Sequence, residues 1–181
     1  MIDREQDDRV LALQIGRPLR AVSTVEHRCN LGLPVVAAVP PVLDTGEPFP
    51  TRYWLTCPLA HRRIARLEAA GGVRAAQARV DSDPALAERL EAAHRRYAEE
   101  RDALVPRHAV PRPTGGVGGS QAGVKCLHAH YADHAVGHEN PIGVDVAERI
   151  GDPRCTVPCV TKLDGVLVRN PDWREGDALD D

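Results

Sequence analysis

"PFPTRYWLTCPLAHRRIARLEAAGG", residues 48–72, contains the change of period on which the fold turns. Its first half, residues 51–56, is aromatic and bulky in the manner of a short strand. From Pro58 the period lengthens, and Leu59, Ile64, Leu67 and Ala70 fall along one helical face that Gly71 and Gly72 bring to an end. Proline is harmless at a first helical position, where its missing amide would have had no partner. Strand and helix therefore meet at Cys57 with no loop between them.

Toward the N-terminus the chain reads as extended. "RAVSTVEHRC" (20–29) and "PVVAAVP" (34–40) are apolar, partly β-branched runs joined by the tight turn "NLGLP", and "DTGEPFP" is a loop. With residues 51–56 they are expected to pair as a small antiparallel sheet. Before them, Val10, Leu11, Leu13 and Ile15 give a short amphipathic helix that stops near Gly16. Toward the C-terminus, Asp83 caps a long helix with Pro84 at its first position and Leu86, Leu90, Tyr97 and Leu104 as its buried stripe. His94, at the edge of that stripe, reads as a packed histidine. Residues 106–123 form a proline-then-glycine loop, followed by a helix over about Val124–Val136, a break at "ENPIG", one more short helix and a last strand at "GVLVRN". The expected fold class is α+β: a small antiparallel sheet of three to four strands packed with about five helices. Residues 1–175 form one domain in this reading, and the acidic tail 176–181 is expected to fray.

Composition narrows the functions. A chain of 181 residues, 43% of them hydrophobic, fills a core, and a net charge of −3 offers no basic excess for phosphate backbones, so no nucleic-acid partner is expected. The charged start "MIDREQDD" is unlike a signal peptide, and no stretch approaches the roughly 18 apolar residues of a membrane span. A cytoplasmic setting follows, where five cysteines, an odd number, are more readily free thiols or metal ligands than disulfides.

The chemistry concentrates in "GGVGGSQAGVKCLHAHYADHAVGHENPIG", residues 115–143. Cys126 stands at the start of a helix after a glycine-rich loop, and Cys57 stands at the start of another, so unpaired amides and the helix dipole favour thiolate at both. If residue 126 is already helical, Cys126, His130 and His134 share a face at i, i+4 and i+8; if it is extended, Cys126 and His128 share a side. Both arrangements remain open. His138, beyond Gly137, reads as solvated. Thiolate and imidazole together suit zinc, with Cys29, Cys57, Cys126, His128, His130 and His134 as the candidate ligands. Cys155 and Cys159, in "CTVPC", are one residue too widely spaced for a C-x-x-C knuckle and lie outside this set. The glycines Gly116, Gly118 and Gly119 offer a backbone cradle for an anion that Arg52 would anchor.

"QIGRP", "HRCNLGLPVV", "EPFPTRYWLTCP", "GVGGSQAGVKCLHAHYADH" and "NPIG", in that order, resemble the bacterial family called domain of unknown function 501 (DUF501) over roughly residues 7–170. The resemblance implies no activity, substrate or catalytic residue. It does imply a gene neighbourhood of enolase, a septum-formation initiator and an exopolyphosphatase-like enzyme, which hints at phosphate metabolism or cell division.

Two functions fit these residues. In the first, a zinc site with an open position hydrolyses or transfers a group on a small anionic substrate, phosphorylated compounds included; without metal, Cys57 or Cys126 is the nucleophile and a histidine such as His128 the base. In the second, the same residues form a structural zinc site or thiol-rich core in a module that binds a protein partner.

Overall fold

The computed structural model describes residues 4–175. Helix α1 (Arg4–Ile15) leads into strands β1 (Thr24–Arg28), β2 (Pro34–Ala38) and β3 (Tyr53–Leu55). These form an antiparallel meander in the order β1-β2-β3. Every residue of the central strand β2 is buried, which explains its unbroken apolar run. The turn between β1 and β2 closes through the Gly32 amide donating to the Cys29 carbonyl, with Gly32 at φ +75°.

Four helices follow the sheet in close succession: α2 (Pro58–Ala69), α3 (Gly72–Ser82), α4 (Pro84–Asp102) and, after the long loop, α5 (Leu127–Ala135). Helix α6 (Pro141–Ile150) and an antiparallel hairpin of β4 (Val160–Leu163) and β5 (Val166–Arg169) complete the described chain. The α+β class holds, with six α-helices and two small antiparallel sheets among the described residues. The tail 176–181 lies outside them.

Several expectations change in detail. Gly71 and Gly72 do end α2, but Gly72 immediately starts α3, because Gly71 adopts the left-handed conformation that turns one helix into the next. Asp83 caps α4 as expected, its carboxylate accepting from the amides of Ala85 and Leu86. Leu104 falls beyond the last helical turn and is exposed rather than buried. Helix α5 begins only at Leu127, leaving Cys126 extended at its N-cap.

The core joins β2, β3 and the inner faces of α2, α4, α5 and α6, with Val36, Leu59, Ile64, Tyr97 and Ile142 among its most buried members. Helices α5 and α6 cross closely at Gly143, where a Cβ would stand 2.4 Å from the His130 carbonyl oxygen. This packing fixes the N-terminus of α5 against α2 and β3, and that corner carries the candidate site.

Candidate functional site

Helix α2 presents Glu68 to the N-terminus of α5. With Cys126 at the N-cap and no side chain of α5 capping its own amides, the Glu68 carboxylate accepts from the Leu127 amide at 2.6 Å. The same oxygen stands 3.2 Å from Nδ1 of His128. Because Cys126 is extended (φ −154°, ψ 122°), its thiol lies on the His128 side, with Sγ 3.9 Å from that Nδ1. One donor atom each from Glu68, Cys126 and His128 thus lies within 4.8 Å of the others, and the three residues are half-buried. They could hold a metal ion.

The proton on His128 sharpens this. Its Nε2 is 3.1 Å from the His61 carbonyl, an oxygen that can only accept, so Nε2 carries hydrogen and donates. In the neutral ring Nδ1 is then a bare lone pair facing both thiol and carboxylate, the tautomer that ligates metals. Such a lone pair beside a carboxylate oxygen is repulsive unless a cation or a second ring proton stands between them. A nucleophilic relay would instead need one nitrogen toward the thiol and the other toward the carboxylate. Here both use Nδ1.

Beside the cluster a cleft of about 300 Å³ is lined by Thr51, Tyr53, Trp54, His61, Cys126 and His128, among others. The His61 ring lies 4.4 Å from the His128 ring, and burial together with that neighbour lowers its pKa. His61, Trp54 and Leu55 also wall a second, larger cleft of about 500 Å³. Arg17, Arg62 and Arg169 line it, with Trp54 and Trp173, and no carboxylate is among its lining residues.

The other candidates disperse. Cys57 is buried and lines a different, small cavity together with Cys29, Cys155 and Cys159. Burial pushes its thiol up to about 12 in spite of the Leu59 and Ala60 amides directed at it. The Cys126 thiol is raised as well, again by burial first. His130 points into the core with none of its surface exposed: its Nδ1 donates to Asn140 Oδ1, and its Nε2 has no partner. His134 is half-buried near Gly143, away from the Glu68 cluster. His138 is not solvated, since its Nδ1 lies 3.1 Å from buried Asp133, which also receives Arg96 and Asn140. His94 is a packed histidine with two hydrogen bonds, accepting from Val117 and donating to the Gly123 carbonyl.

The glycine loop is spent on packing. The amides of Gly116, Gly119 and Ser120 bond carbonyls within the loop and that of Val117 bonds His94, so they do not converge on an anion. Gly116 lies against the His94 ring, Gly118 against Ala129 and Gly119 against Pro50, at distances that leave no room for a Cβ. Arg52 stacks over the Tyr53 ring and donates to the Val39 carbonyl, and it lines neither cleft. Glu68 carried no signal in the sequence: a single glutamate near a helix end reads as solvated, and only the docking of α5 gives it a role.

No curated protein and no solved structure matches the chain. Residues 25–148 match the family described as "Protein of unknown function (DUF501)". That span holds Glu68, Cys126, His128 and His61, together with the meander except its first residue, Thr24, and the helices α2 and α5 that carry them. The corner where α2 meets α5 is therefore built entirely from the matched region, and the chain belongs to the DUF501 family.

Proposed function

We propose that Glu68, Cys126 and His128 bind zinc and that the site acts on a small anionic, phosphorylated substrate by hydrolysis or group transfer. The observation that carries the reading is the convergence of three donor atoms within 4.8 Å at the wall of a cleft, with the His128 tautomer set for ligation by the His61 carbonyl. Three protein ligands beside open space are the pattern of a catalytic zinc, which would supply an activated water. Arg17, Arg62 and Arg169 supply the complementary charge for the substrate, taking the place that Arg52 does not fill. His61, standing between the two clefts, is placed to exchange a proton with a group bound there. The reading takes the chain as cytoplasmic, where its five cysteines stay reduced, and includes no nucleic acid among its ligands. No described helix is long and apolar enough to cross a membrane.

The test is zinc binding by equilibrium dialysis, paired with zinc-dependent release of inorganic phosphate from p-nitrophenyl phosphate. Glu68→Gln, Cys126→Ser and His128→Ala should each lose one zinc equivalent and the activity with it. Wild-type zinc content in all three would end the proposal.

A further inference from the structure

Four of the five cysteines of this chain line one small cavity. Cys29 comes from the turn after β1, Cys57 from the N-cap of α2, and Cys155 and Cys159 from the irregular segment between α6 and β4. The remaining wall is nearly all apolar, including Leu31, Leu33, Pro34 and Leu59, and holds no carboxylate, histidine or basic side chain. Sulfur is thus the dominant donor at this place.

The backbone is arranged to bring these segments together. Asn30, next to Cys29, clasps Cys155 from both sides: its Nδ2 donates to the Cys155 carbonyl at 2.8 Å and its Oδ1 accepts from the Cys155 amide at 3.1 Å. Asn170 fixes the neighbouring turn, its amide donating to the Cys159 carbonyl and its side chain to that of Pro158. Donors also face the sulfurs. The amides of Leu59 and Ala60 are directed at Cys57, and Gln14 Nε2 lies 3.5 Å from Cys159 Sγ. The indole N–H of Trp173, a residue of the same wall, is buried without an acceptor. Four neutral thiols do not need such an array, whereas thiolates do.

We propose that Cys29, Cys57, Cys155 and Cys159 form a second metal site, a tetrathiolate that binds structural zinc and ties residues 151–175 to the sheet and α2. The C-x-x-x-C spacing of Cys155 and Cys159 lies within the range structural zinc sites use. A tetrahedral site with Zn–S near 2.3 Å holds its sulfurs about 3.8 Å apart. No three of these four sulfurs lie within 4.8 Å of one another, so metal binding requires the sulfurs to draw together. Binding releases the thiol protons to solvent and creates four Zn–S bonds, with no change of oxidation state. The site is independent of Cys126, so it stands whether or not the Glu68 cluster binds metal.

The decisive protein is full-length Cys126→Ser, purified untagged under reducing conditions and assayed for metal per chain. It should retain about one zinc, and adding Cys155→Ser or Cys159→Ser should remove it. Replacing that zinc with cobalt should give a near-ultraviolet thiolate-to-cobalt band with the intensity of four thiolates, a readout that stays decisive if the double variants prove insoluble. A Cys126→Ser protein without metal, or a cobalt band of one thiolate or none, would overturn the site. Failure of the Glu68 proposal reads differently: Cys126→Ser would then hold as much zinc as wild type.

Discussion

Cys57 and Cys126 occupy equivalent positions, each at the N-cap of a helix, and in both the thiol titrates above its ordinary range. The helix amides do favour thiolate, yet burial outweighs them, a balance invisible in sequence because burial depends on what packs against the cap. His130 shows the same effect with opposite sign. Burial lowers its pKa from 6.5 to about 4. The unfolded chain therefore takes up a proton at His130 that the native chain refuses, and stability present above pH 6.5 is lost as pH falls toward 4, by about 3 kcal/mol at full extent. Denaturant titrations at pH 7 and pH 5 should show the loss, and His130→Gln should flatten this part of the profile. An unchanged slope in His130→Gln would show that other groups carry the acid sensitivity.

At the scale of elements, the legible features were those whose signal is local. The strand-to-helix switch at Cys57 and the Asp83 cap follow from periodicity and from one side chain reaching two amides. Asp83→Ala should cost about 1 kcal/mol in thermal or denaturant unfolding. Helix α3 carries no such signal, because its buried residues Ala76 and Val80 are too sparse and too small to mark an apolar face. In the β4–β5 hairpin only the second strand has a clear apolar run, and Asp164 and Gly165, both at positive φ, are the turn signal that pairs it with the first. Gly143 belongs to a different class. Its Cβ-free surface lets α6 touch the backbone of α5, so Gly143→Ala should destabilise by about 1–3 kcal/mol, since a carbonyl cannot move aside as a flexible side chain can. A melting temperature equal to wild type would show that the two helices can slide apart at no cost.

Across the whole molecule, side chains tie together segments that lie far apart in the chain. Asn30 bridges 125 residues to Cys155, and Asn30→Ala should speed amide exchange across residues 151–159 while leaving β2 protected. Equal exchange in both proteins would show the segment to be held by other contacts. The larger cleft draws on α1, α2 and the β5 end, and both tryptophans of the chain line it. Inorganic phosphate should therefore alter the intrinsic fluorescence, with about ten-fold weaker binding in Arg62→Ala or Arg169→Ala. No spectral response at any phosphate concentration would remove the anionic substrate from the proposed function.

The α+β class, the meander, the capped long helix and the segment that holds Cys126 and His128 are legible in residue order alone. These are written in short-range periods, caps and residue chemistry that act within a few positions of the chain. Which donors meet is settled by three-dimensional packing. Packing brings Glu68 to Cys126 and His128, turns His130 inward as a strut to Asn140, and gathers Cys29 and Cys57 with Cys155 and Cys159. Such meetings depend on how helices cross and on which backbone groups clasp over more than a hundred residues, and no local pattern encodes them.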